Sequence, residues 1–161
     1  NKTPDRSIDF PMNFCVNTIP AKASFTQKPP KSDTIPYGAY LVNAAACMEC
    51  HTPVNKGQII PGKEFGGGRV FQMPNGKVYS ANITPDKSSG IGNWTEDQFV
   101  TRFIAYENPA NEPKLDSKEV NTIMPWTMLA GMDTSDLRSI FRYLQTVKPI
   151  RNQVDHFLAE K

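Results

Sequence analysis

Apolar and polar residues change their spacing several times along the chain, and each change marks an element. After Thr95, the residues Phe99, Val100, Phe103 and Ile104 recur at the three- and four-residue intervals of one helical face. Thr95 and Gln98 occupy the two positions of a capping box, so the helix starts there. A second stripe, Leu137, Ile140, Phe141, Leu144 and Val147, begins near Asp133 or Thr134 and is stopped by Pro149. Tyr37 to Ala46 is rich in Ala, Tyr, Leu and Val without an internal proline, which predicts a third, shorter helix. Gly38 and Ala39 at its start are small enough for another helix to approach closely. Between the Tyr37–Ala46 helix and the one that starts at Thr95 the pattern is different. Val70-Phe71 and Val78-Tyr79 flank Pro74-Asn75-Gly76-Lys77, and Asn-Gly between apolar pairs is a hairpin signal. The rest of 53–93 reads as loop, with Gly62, Gly66, Gly67 and Gly68 permitting tight turns. Residues 107–123 read as a polar loop.

The first 36 residues hold six of the fourteen prolines, so no long helix fits there. Ile8, Phe10, Met12 and Phe14 alternate, which favours an extended segment laid on a surface over a free tether. The predicted organisation is therefore an extended arm over 1–35, one domain over 36–150 and a tail over 151–161.

Composition narrows the function. The 161 residues suffice for one domain with a proper core. A net charge of +2 leaves no basic footprint for nucleic acid. No run of about 18 apolar residues is present to span a membrane. The chain opens on Asn1 rather than Met, so a processed form is expected, with a signal or membrane anchor possible upstream.

The strongest chemical signal is Cys47-Met48-Glu49-Cys50-His51. Cys-x-x-Cys-His is the attachment signature of a c-type haem. Two thiols that add across the vinyl groups of one macrocycle must lie about one helical turn apart. The next residue then presents an imidazole beneath the iron. A thioredoxin-like redox motif would need a βαβ setting, which the pattern does not supply. A zinc site would need four ligands, and only His156 and Cys15 remain as distant candidates. One motif implies one covalent haem c. Cys15, beside Phe14 and Val16, reads as a small buried hydrophobe, with pairing to another chain as the alternative.

The helix leading into this motif, the glycine-rich loops, a Met-Pro pair and a terminal amphipathic helix together resemble the class I cytochrome c family. Tyr79-Ser80-Ala81-Asn82-Ile83-Thr84-Pro85-Asp86, Gly90-Ile91-Gly92-Asn93-Trp94-Thr95, Met124-Pro125-Trp126 and Tyr143-Leu144 resemble bacterial cytochrome c subunits of quinoprotein dehydrogenases. The likeness covers about 36–150. Those subunits carry several haem motifs per chain and this chain carries one, so the family's partner enzyme does not follow from the likeness.

The resemblance implies that the sixth iron ligand is a Met just before the last helix. Met124, Met128 and Met132 all stand there. Met124 precedes Pro125 and matches the family's Met-Pro; Met128 and Met132 read as packing, and His156 as a solvated residue of the tail. It also implies a proline carbonyl, here Pro61, as acceptor for the His51 ring, with an ordinary turn proline as the alternative. Arg69, Tyr79, Asn82 and Trp94 are candidates to meet the haem propionates, which are partly buried anions in that fold.

The fold expected from this is all-α, a class I cytochrome c with a loop-and-hairpin insertion after the haem motif. Its first and last helices should cross at Gly38, bringing Tyr40 or Leu41 onto Ile140, Phe141 or Leu144. The function expected is electron carriage between redox protein partners, not catalysis, in the periplasm or on the outer face of a membrane. Three rivals stay open: a haem domain of a larger membrane-bound respiratory complex, a haem peroxidase, and a gas sensor with an open iron.

Overall fold

The computed structural model describes residues 10–11, 14–15, 27–74, 76–111, 122–155 and 157–159. Five α-helices frame the described chain: α1 (Thr34–Ala44), α2 (Cys47–His51), α3 (Glu96–Ile104), α4 (Trp126–Ala130) and α5 (Thr134–Leu144). Two 3-10 turns, Ala105–Glu107 and Pro109–Asn111, follow α3. The Thr95–Gln98 capping box closes in both directions at the start of α3, Gln98 N donating to Thr95 Oγ1 (3.2 Å) and Thr95 N donating to Gln98 Oε1 (2.9 Å).

The chain is not all-α. Among the described residues, five strands form two antiparallel sheets. β1 (Val54–Asn55) pairs with β2 (Gln58–Ile59). β3 (Val70–Met73), β4 (Gly76–Tyr79) and β5 (Phe157–Ala159) make a three-stranded sheet with β4 in the centre. The hairpin register sets Val70 opposite Tyr79 and Phe71 opposite Val78. β5 lies in the segment expected to be a tail, and Val78 faces Phe157 across it. Short strands of this kind carry little periodicity of their own. Their pairing partner fixes them, and β5 finds its partner about eighty residues back along the chain.

The core is built where α1, α3 and α5 meet. Val42, Phe65, Ile91, Phe99, Val100, Phe103, Leu137, Ile140, Phe141 and Leu144 form one buried cluster. α1 and α5 touch at Gly38, where a Cβ would stand 2.0 Å from the Ser139 carbonyl oxygen and 2.9 Å from Tyr143 Cβ. Leu41 packs on the cluster that holds Ile140, Phe141 and Leu144. Tyr40 does not: it is 41% exposed and stacks on Tyr37 at 6.2 Å.

The arm expected over 1–35 falls mostly outside the described residues. Within it, Phe10 and Phe14 are exposed and meet edge to face at 5.7 Å. Cys15, expected to be buried, is exposed. Lys31 reaches α5, pairing with Asp136 (2.9 Å) and Asp133 (3.3 Å), and Lys28 lies over the Tyr37 and Tyr40 rings at 5.4 and 5.6 Å.

Candidate haem site

α2 is a single helical turn, and it carries the whole motif. Ala46 turns the chain from α1 into it in a left-handed conformation (φ +52°), which costs a non-glycine residue about 1–3 kcal/mol. Cys47 and Cys50 then stand three residues apart on one side of the turn. Cys47 is half-buried against the core cluster and Cys50 is exposed; neither is in a disulfide. Burial pushes the Cys47 thiol up to about 11, with its own backbone bond opposing the shift.

His51 ends the turn and is buried, 9% exposed. Its Nδ1 donates to the Ala81 carbonyl at 2.7 Å. A carbonyl can only accept, so the proton sits on Nδ1 and the lone pair is on Nε2. Burial lowers the ring's pKa, with the Ala81 bond opposing it, and so favours the neutral imidazole that a metal ligand must be. The carbonyl expected in this place was that of Pro61. Pro61 instead lies exposed in a turn, because the chain returns to the motif along a later segment.

That segment is Phe65–Arg69, layered between the motif and the end of β4. On the motif side, Gly67 N donates to the His51 carbonyl (2.7 Å) and Phe65 N to Thr52 Oγ1 (3.1 Å). On the other side, Gly68 N donates to the Ser80 carbonyl (2.8 Å), Ser80 N to the Arg69 carbonyl (3.0 Å) and Ile83 N to the Phe65 carbonyl (2.9 Å). The hairpin therefore carries Ala81 to the imidazole. Ala81 acts through its backbone, so its side-chain identity could not have marked it.

The four propionate candidates are placed differently from one another. The Arg69 guanidinium donates to the Glu49 carbonyl inside the motif and lies over the Phe71 ring at 5.6 Å. Asn82 is buried and its amide is committed: Nδ2 donates to the Ile150 carbonyl (2.7 Å) and Ser89 Oγ (3.1 Å), and Oδ1 accepts from Thr84 N (3.0 Å) and Thr84 Oγ1 (2.7 Å). It ties loops together and has no donor to spare for a propionate. Trp94 is 39% exposed and its indole N–H makes no hydrogen bond among the described residues. Trp94 and Tyr79 do not share a wall. Trp94 lines an open groove of 680 Å³ with Arg102, and Tyr79 one of 470 Å³ with Gly68 and Leu158.

The three methionines separate clearly. Met124 is half-buried and packs on the core cluster. The bend after it is pinned by Trp126, which stacks on Tyr106 at 5.0 Å, lies under the Arg102 guanidinium at 4.7 Å and donates from Nε1 to Thr122 Oγ1 at 2.8 Å. Met132 also packs on the cluster, whereas Met128 is 79% exposed. His156 lies outside the described residues.

These residues fit a covalent haem. Two thiols lie one turn apart, and the neighbouring imidazole is locked in the tautomer that leaves Nε2 to bind. Cys47, Cys50 and His51 would hold the group, and Arg69 and Trp94 keep donors near the motif and on the α3 side. The donor set is that of a c-type cytochrome.

Known proteins similar to this chain are cytochrome subunits. The chain is 34% identical over 118 residues to the fructose dehydrogenase cytochrome subunit of Gluconobacter japonicus, covering 73% of this chain and 22% of that one. It is 30% identical over 117 residues to the cytochrome c subunit of the quinone alcohol dehydrogenase of Gluconobacter oxydans, covering 72% and 22%. It is 32% identical over 117 residues to the gluconate 2-dehydrogenase cytochrome c subunit of Pantoea cypripedii, covering 70% and 23%. No family model matches it. The chain's homologues are cytochrome c subunits of dehydrogenases, and it spans about a fifth of the length of the relatives it matches.

Proposed function

We propose that this chain carries single electrons through one covalently attached haem c, with His51 and Met124 as the axial pair, and that it is not itself an enzyme. The observation that carries this is the His51 arrangement: a buried imidazole, its Nδ1 proton held by Ala81, on the same turn as both cysteines. A bound haem supplies the one-electron couple. The chain's part is to hold it rigidly and keep water away. The Ala81 carbonyl fixes the ring plane and raises the basicity of Nε2. Phe99, Phe103 and the rest of the cluster supply low-dielectric packing beside Cys47 and Met124. Half-burial of Met124 on that cluster supports it as the second ligand, and the exposure of Met128 counts against that rival.

The partners proposed are redox proteins, among them the catalytic subunit of a dehydrogenase, because the relatives bear the names of dehydrogenase subunits. The place is the periplasm or the outer face of a membrane. No helix among the described residues is long and apolar enough to cross one. The relatives' greater length favours a second reading, in which this is one haem domain of a larger dehydrogenase complex. Mass spectrometry of denatured protein tests the core of the proposal. One haem added to the chain mass, resistant to acid–acetone, is expected. Zero or two would overturn it.

A further inference from the structure

The packing around His51 assigns a role to a residue that touches neither the iron nor the macrocycle. We propose that Gly67, with Arg69 beside it, is a positioning residue that sets the strength of the His51–Ala81 hydrogen bond and through it the reduction potential. The proposal rests on the haem reading above.

Three observations carry it. Gly67 links both ends of the contact: its N–H donates to the His51 carbonyl at 2.7 Å, and its Cα faces the backbone of Ala81. A Cβ there would stand 2.5 Å from the Ala81 carbonyl carbon, 2.5 Å from Asn82 N and 2.7 Å from the Ala81 oxygen. Real Cβ atoms do not come so close to backbone, so any side chain must push Ala81 away. The displaced atom is the very oxygen that accepts from His51 Nδ1. Finally, the Arg69 guanidinium donates to the Glu49 carbonyl, one of the carbonyls that the last turn of α2 leaves without a helical partner. Gly67 and Arg69 together cap the motif and hold it at one distance from the end of β4.

Donation from Nδ1–H to a carbonyl makes Nε2 a stronger donor. A stronger donor favours the oxidised metal. Loosening the contact should therefore raise the potential, and the Nδ1 proton should exchange faster with solvent.

Gly68 provides the control. Gly67 and Gly68 both have left-handed backbones, with φ of +72° and +86°. Alanine at either position carries comparable backbone strain. At Gly68, however, a Cβ would meet only Asn152 Nδ2, at 3.3 Å. In the purified holoprotein, Gly67→Ala should raise the reduction potential and speed exchange of the His51 Nδ1 proton by at least tenfold in ferrous-state NMR. Gly68→Ala should lower the melting temperature and leave both readouts at parent values. Equal shifts in the two variants, or none in Gly67→Ala, would overturn the proposal. If Gly67→Ala fails to mature, Arg69→Lys carries the test. It keeps the charge but loses the planar reach to the Glu49 carbonyl, so faster Nδ1 exchange is expected and parent-like exchange overturns the role. A parent protein without haem, or without His51 on the iron, would instead refute the functional reading itself.

Discussion

Met124 sits at a bend whose geometry comes from its neighbours. Pro125 restricts the residue before it to extended backbone. Trp126 donates its backbone N–H to the Met124 carbonyl at 2.8 Å and anchors its own ring on Tyr106. The thioether is thus presented from a short, doubly held segment. Met124→Ala should remove the weak red absorption band of the ferric protein, lower the potential and admit cyanide. Met128→Ala, at an exposed position, should keep the ferric spectrum and change stability by no more than about 0.5 kcal/mol. Met132→Ala should also keep it, at a packing cost of about 2 kcal/mol. A spectrum lost with Met132 and kept without Met124 would move the ligand to the far end of α4. Cys47, Cys50 and His51, which are proposed to act through their side chains, could be singled out from spacing alone. Ala81 could not, because any residue can offer its carbonyl and only the folded chain shows which one does.

Helices α3 and α5 are joined twice, by apolar packing inside and by ions outside. Phe99 meets Phe141 at 5.3 Å within the cluster. Outside, Glu96 accepts from Arg142 Nε (2.5 Å) and Arg138 Nη1 (3.3 Å), and Asp97 accepts from Arg138 Nη2 (2.6 Å). The hydrogen bond from Arg142 is the main cause that holds the Glu96 carboxyl below its ordinary value of 4.5, with Arg138 adding to it and burial opposing it. A depressed folded pKa means stability that is fully present above 4.5 and lost as the pH falls through the folded value. Glu96→Gln should therefore melt lower than the parent at pH 7. The gap should close on acidification below 4.5, and a gap that persists there would show that packing, not charge, is what the substitution removed. Both helices could be read from their stripes and the capping box, since helical periodicity is written locally. The β3–β4 hairpin could be read from the apolar pairs on either side of its turn, but the other three strands could not. β1, β2 and β5 are two or three residues long, and only the partner across the ladder distinguishes such segments from loop.

Across the whole molecule, Asn82 is the joint between the loop after β4 and the chain beyond α5. It and Thr84 hold the Ile150 carbonyl and each other, and Ser89 Oγ accepts from Asn152 N at 2.9 Å. Asn82→Ala would leave the Thr84 N–H buried without its acceptor and take the 2.7 Å donor from the Ile150 carbonyl, at a cost of about 2 kcal/mol. The urea midpoint of the entire domain should fall accordingly. Asn93→Ala, which loses only an exposed bond to the Lys87 carbonyl, should move it by no more than about 0.5 kcal/mol. Asn82 was expected near a propionate. The short stretch from Asn82 to Thr84 was visible as a pattern, but its partner, the Ile150 carbonyl, lies 68 residues further on and has no signature in sequence. That separation also orders events in time. The cysteines and His51 fall within five residues on one turn and are complete as soon as residue 51 exists. The carbonyl that steadies the ring comes 30 residues later, and the joint that steadies its neighbour closes only once residue 150 has arrived. Loop closure over such distances is slow compared with forming a turn. On the proposed reading, capture and calibration are therefore separate episodes: the grip is local and available early, and its tuning waits for contacts made further along the chain.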